Sequence, residues 1–138
     1  LRDYDMAVSL FRENPELWYA KADAEYNLGR LEESTLSYQK VLKHNPDNHQ
    51  AALDLANTYI DLERFTEADE ILTKLTGLKQ AWAEPYYAKA KLYFLIAEVE
   101  LGIKYIEMAF MINPHERFEI EFERDWERVL QFLIQRDN

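Results

Sequence analysis

The sequence predicts an all-α fold built from stacked antiparallel helix pairs. Glycine and proline are scarce, three and four among 138 residues, whereas sheet proteins spend such residues on many tight turns. Two of the three Asn-Pro pairs, Asn45-Pro46 and Asn113-Pro114, stand 68 residues apart, which is twice 34. Written in rows of 34, the chain aligns without a gap from Pro15 to His115. A fixed period of this length marks a repeat architecture.

The columns of that alignment justify the helices in order. Trp18, Ala52 and Tyr86 share one column, Ala22, Ala56 and Ala90 a second, and Tyr26, Ile60 and Phe94 a third. Leu31, Phe65 and Val99 follow, then Ser34, Ala68 and Gly102, then Tyr38, Leu72 and Ile106. Val41, Leu75 and Ala109 come next, and Pro46, Gln80 and Pro114 close the row. Small residues recur where two helices must approach closely, and large apolar ones recur at helical spacing between them. Helices are predicted over 4–13, 15–28, 31–44, 48–61, 65–78, 83–96 and 99–112, with one or two more within 117–136.

Both ends depart from the repeat. Residues 1–7 line up with residues 62–68, so 1–14 reads as a partial repeat that keeps its second helix. From Ala7 to Trp18 is 11 residues, where Ala68 to Tyr86 is 18, a loss of about two turns. After Glu116 the column pattern fails, but Phe122, Trp126, Val129, Leu130 and Leu133 still make one apolar stripe. That stripe fits a capping helix within 117–138, with Phe132 and Ile134 off it. One domain spanning 1–138 is expected, with repeats at 15–48, 49–82 and 83–116.

The row pattern resembles the tetratricopeptide repeat (TPR): an aromatic, a small residue four later, a second small residue twelve after that, an apolar ring residue, then proline. Trp18, Ala22, Gly29, Ser34, Tyr38 and Lys43-His44-Asn45-Pro46 are its clearest copy. The resemblance covers about 100 of the 138 residues. It implies a right-handed α-α superhelix, with the first helix of each repeat lining a concave face. Lys21 and Lys89 stand where the family has leucine, although Leu55 conforms, and Glu25 replaces the aromatic that Tyr59 and Tyr93 supply. Lys21 and Glu25, one turn apart, are expected to form an exposed pair worth a few tenths of a kcal/mol. Gly77, in place of proline, is expected to be a left-handed stop for the second helix of its repeat.

Composition and motif content exclude several classes of function. Asp plus Glu number 26 against 16 Lys plus Arg, a net charge of −10 that repels phosphate backbones, so no nucleic-acid partner is expected. Cysteine is absent, which removes disulfides, thiol nucleophiles and thiolate metal sites. No stretch reaches the roughly 18 apolar residues of a membrane span, and a soluble location is expected. The cytoplasm is slightly favoured, although a cysteine-free chain fits an oxidising compartment equally. The opening lacks an initiator Met and an apolar leader, so the chain is expected to be part of a longer one. His44, His49 and His115 fall in turns without a second ligand at metal spacing. Ser9, Ser34 and Ser37 have no histidine nearby, and acidic pairs such as Glu32-Glu33 and Asp69-Glu70 fall on solvated faces. Neither enzyme activity nor a cofactor nor a metal is expected.

What the resemblance implies instead is a protein-interaction scaffold with a binding groove. Carried over position by position, the inner faces present Tyr19, Asp23 and Tyr26, then Leu53, Asp54, Asn57 and Asp61, then Glu84, Tyr87, Lys91 and Phe94. Tyr19, Leu53 and Tyr87 form one stripe of apolar anchors; Tyr26, Ile60 and Phe94 form another, divided evenly between groove and core. Acidic residues outnumber Lys91 in these sets, so the expected partner segment is basic with apolar anchors. Chaperone-binding members of the family clamp a terminal carboxylate with basic residues. The matching places here are Tyr19, Asp23, Asp54, Glu84 and Ala88, none of them basic, which excludes that use. Two alternatives stand beside the groove: a structural or self-associating part of a longer array, and a regulatory appendage of an enzyme.

Overall fold

The computed structural model describes residues 14–78 and 81–113, and every structural statement concerns these residues. They form six α-helices: α1 (Pro15–Asn27), α2 (Leu31–His44), α3 (His49–Asp61), α4 (Phe65–Thr76), α5 (Glu84–Leu95) and α6 (Val99–Ile112). No strand occurs among the described residues. Each expected bound is met to within two residues. The helices expected at 4–13 and within 117–136 lie outside the described residues. Contacts divide the chain into two compact units, one ending at Leu75 and one starting at Thr76.

Asparagine side chains start two of the helices. Asn14 accepts from the Glu16 N–H at 3.0 Å ahead of α1, whose first residue, Pro15, lacks an N–H that would have no partner there. Asn48 accepts from the Ala51 N–H at 3.1 Å ahead of α3. Between α2 and α3, the Asn48 N–H donates to the Asn45 carbonyl at 3.1 Å, closing a turn that Pro46 stiffens.

The turns that follow α1, α3 and α5 are one structure repeated three times. Gly29, Glu63 and Ala97, spaced by 34, have φ of 78°, 59° and 64°. In each turn the next residue's N–H reaches back into the helix: Arg30 to the Glu25 carbonyl, Arg64 to Tyr59 and Glu98 to Tyr93, all at 2.8 Å. A second bond joins Gly29 to Tyr26, Glu63 to Ile60 and Ala97 to Phe94, at 3.0, 2.9 and 3.1 Å. The two bonds satisfy carbonyls that a helix end otherwise leaves without a partner. Only the first copy has glycine. Glu63 and Ala97 adopt the left-handed conformation at a cost of roughly 1–2 kcal/mol each.

In the first unit α1 packs on α2 and α2 on α3. Ala22, Ala56 and Ala68 are fully buried, as their columns require for close helix approach. In the second unit α5 packs on α6. A Cβ at Gly102 would lie 2.6 Å from the Phe94 ring, so only glycine admits that ring.

Lys21 and Glu25 do not form the exposed pair that their spacing suggests. Glu25 is 2% exposed, because its position faces α2. There it accepts from the Ser37 hydroxyl and from the Lys21 ammonium, the latter at 3.3 Å, and that ammonium also lies 5.8 Å from the Trp18 ring. The third repeat meets the same demand differently. Lys89 is 5% exposed, with its ammonium 4.9 Å from the Tyr105 ring and 6.0 Å from Tyr93, and those two rings stack at 5.4 Å. Tyr93 and Tyr105 stand 68 residues after Glu25 and Ser37, so one lysine position, half-buried in the first repeat and buried in the third, has two distinct solutions. Leu55, buried in the second repeat, needs neither. Every buried side-chain nitrogen or oxygen among the described residues has a partner, as the cost of desolvating such groups requires.

Candidate functional site

Three tyrosine–aspartate bonds organise the face that α1 and α3 present in the first unit. The Tyr19 hydroxyl on α1 donates to Asp54 on α3. Two turns further along, the Tyr26 hydroxyl donates to Asp61 Oδ2 at 2.6 Å. Both bonds span 35 residues, one period plus one step, so the two helices are laced at equal intervals. The third bond comes from behind: Tyr38 on α2 donates to Asp23 Oδ1 at 2.5 Å. The Tyr19 and Tyr38 rings meet edge to face, 5.9 Å between centroids and 86° between planes. Gln50 Nε2 adds a bond to Asp54 Oδ1 at 3.1 Å.

These hydroxyl bonds fix the orientation of the three carboxylates. Burial, then the hydrogen bond to Asp54, pushes the Tyr19 hydroxyl well above its ordinary pKa. Burial, then the bond to Asp23, does the same for Tyr38. The rings therefore stay neutral donors at physiological pH.

At the start of α1 the face opens into a cleft of ≈ 560 Å³, which the α2–α3 turn closes on one side. Asn14, Pro15, Glu16, Tyr19, Ala20, Asp23, Asn45 and Asn48 line it. Two carboxylates, three amides and an aromatic ring face this space, and no basic side chain is among the described residues that line it. Such a lining favours a cationic group electrostatically.

The other expected site residues are placed less uniformly. Leu53 is 4% exposed and Ile60 is 2% exposed, so both belong to the core and Leu53 is no surface anchor. Seven of the thirteen residues of α3 are buried, so its buried surface is broad enough to take in both positions. Asn57 is half-buried beside Asp54 and Asp61 along α3. In the second unit Glu84 accepts from the Trp82 indole N–H at 2.9 Å. Tyr87, Lys91 and Phe94 are half-buried, and the Phe94 ring lies over Gly102. Sequence reasoning missed Tyr38, Asn45 and Asn48. The two asparagines were legible only as turn and cap residues, and nothing in the spacing marks Tyr38 as the support of Asp23.

Among the described residues no group of three or more His, Asp or Glu is arranged to hold a metal ion. No described helix is long and apolar enough to cross a membrane.

Paired helices with identical turns at a 34-residue interval define an all-α helical-repeat protein. Two tetratricopeptide-repeat profiles match the chain, at residues 15–48 and 37–92, together more than half of it. The chain belongs to the tetratricopeptide-repeat family, and so to a class of protein–protein interaction modules that generally serve as non-catalytic scaffolds. No curated protein matches it in sequence. Among solved structures, MamA from Desulfovibrio magneticus RS-1 (residue 41 to its end) is similar with a TM-score of 0.79 and 20% identity, covering 99% of this chain and 73% of that one. The first TPR of Spaghetti (RPAP3), bound to the HSP90 peptide SRMEEVD, has a TM-score of 0.73 at 17% identity, covering 90% of this chain and 94% of its own. The Arabidopsis OM64 TPR domain has a TM-score of 0.73 at 15% identity, covering 86% and 95%. At these identities the likeness is one of fold.

Proposed function

We propose that the α1–α3 face is a binding groove for a basic segment of another protein, held through lysine or arginine side chains between apolar contacts. The observation that carries this reading is the set of carboxylates Asp23, Asp54 and Asp61, each bonded by a tyrosine hydroxyl, with Asp23 and Glu16 lining a cleft that has no basic residue in its lining. Fixed acceptors lose little entropy on meeting a cation, which is the advantage of preorganisation. Tyr19 and Tyr26 supply the apolar contact that Leu53 does not. Asn57 offers an amide to the segment's backbone. On α5, Glu84, Tyr87, Lys91 and Phe94 hold the same register positions, and the reading assigns them partner contact within their own unit. Repeats at 15–48, 49–82 and 83–116 within one domain, and no catalytic, cofactor or metal role, belong to the same reading.

The HSP90 peptide seen on RPAP3 provides the contrast. It ends in an acidic run, and the first unit's register positions that would meet its carboxylate are Tyr19, Asp23 and Asp54, none of them basic. The test is a peptide array probed with the purified chain, with SRMEEVD included. Selection of sequences with Lys or Arg beside apolar residues, weakened by Asp54→Asn, supports the groove. Capture of SRMEEVD in preference to them overturns it.

A further inference from the structure

The three second helices of the repeats, α2, α4 and α6, serve as internal controls for one another, and one differs. Their outward stripe, opposite the buried side, falls at four columns. In α2 these are Glu33, Leu36, Lys40 and Lys43; α4 and the residue after it give Glu67, Glu70, Lys74 and Gly77. In α6 they are Leu101, Lys104, Met108 and Met111. Met111 is 82% exposed, Leu101 39%, and Lys104 is exposed with them. Ile103, Ile106 and Ala109, on the opposite side of α6, are buried, so the stripe is not part of the core. Leu95 and Ile96, each 40% exposed, add apolar surface at the turn that leads into α6.

The spacing 101, 104, 108, 111 alternates steps of three and four, which is the seam one helix offers to another. Glu100 and Glu107 border the seam on one side, and both are exposed. A second copy of this chain would bring the same acidic border and a net charge of −10 to the contact, which disfavours self-pairing. An anionic surface is disfavoured for the same reason. Charge complementarity selects a helix with apolar residues at heptad spacing and basic residues at its flanks.

We propose that the outer face of α6 is a second docking surface, separate from the α1–α3 groove, that receives an amphipathic helix with basic flanks from another protein. The probe is a synthetic 18-residue helix carrying leucine at the a and d positions and lysine at e and g, with a glutamate-flanked twin. The lysine peptide is expected to bind the full chain. The double substitution Leu101→Lys and Met111→Lys should weaken it at least tenfold without lowering the melting temperature, since both side chains are exposed. The exchange Glu100→Lys with Glu107→Lys should weaken the lysine peptide and rescue the glutamate twin. Loss of binding on Asp54→Asn but not on the α6 substitutions would move the helix to the groove and overturn the proposal. A mass that doubles with concentration and reverts in Met111→Lys would make the occupant a second copy. Peroxide oxidation of Met111 in the free chain, followed by mass spectrometry, should match the rate of an exposed methionine. Protection there would show that the chain covers this face itself and would equally overturn the proposal.

Discussion

At the scale of single residues, the tyrosines tie stability to pH. Tyr38 is 2% exposed and bonded to Asp23, and its hydroxyl holds its proton well above the ordinary value. In the unfolded chain a tyrosine ionises near pH 10. Above that pH the unfolded state binds fewer protons than the folded one, so stability falls as pH rises toward the raised folded value. The slope is at most about 1.4 kcal/mol per pH unit for one such group. Tyr38 should therefore add no pH dependence to thermal melts between neutral pH and about 9.5 and a decline above it, with a shallower decline in Tyr38→Phe. The same substitution removes a donor from Asp23 and should cost about 1 kcal/mol at neutral pH; an alkaline limb identical to that of the parent would show that Tyr38 is not the group responsible. Other properties at this scale were hidden in the sequence. Leu53 sits in a column that the repeat register assigns to the groove, yet it is buried in the core, as are most residues of α3. Glu25 looked solvated because its visible partner, Lys21, is one turn away; the decisive partner, Ser37, lies on the next helix.

At the scale of elements, the helix bounds were legible because a 34-residue phase held over three rows fixes every start and stop at once. The turns were only half legible. Gly29 announces a left-handed residue, but Glu63 and Ala97 adopt the same conformation with no sequence signal beyond their column. Their strain can be measured. Ala97→Gly should stabilise the chain by up to about 1 kcal/mol, since relief of the left-handed conformation is offset by glycine's larger unfolded entropy. Gly29→Ala should destabilise it by about 1 kcal/mol through conformation alone, because nothing lies within 4 Å of the added Cβ. Urea titrations that moved both midpoints in one direction would contradict the shared turn. Gly102→Ala is a packing test: the Phe94 ring must yield, at a cost of about 1–3 kcal/mol. If Phe94→Leu in the same chain restores the midpoint, the ring is the obstacle.

At the scale of the whole molecule, a net charge of −10 shapes encounter more than fold. A basic partner segment should associate faster at low salt, and Asp54→Asn should lower both the association rate and its salt dependence. Tyr26→Ala should act mainly on dissociation, as loss of buried contact usually does. Stopped-flow measurements at two ionic strengths separate the two, and an association rate indifferent to salt would remove the electrostatic argument. The acidity of the α1–α3 face was legible by counting charges along its register sets. Its rigidity was not, because Tyr19 and Tyr26 reach one step past their own columns to Asp54 and Asp61. The two housings of that lysine position bear on how such a chain can change over generations. Lys21 depends on Glu25 and Ser37, while Lys89 lies among Tyr93 and Tyr105. Moving one of these residues alone from its row to the matching place in another would pair an ammonium with the wrong surroundings. Copying an entire 34-residue row carries its housing along, so duplication of a complete row keeps each ammonium with its own neighbours where a single exchange does not.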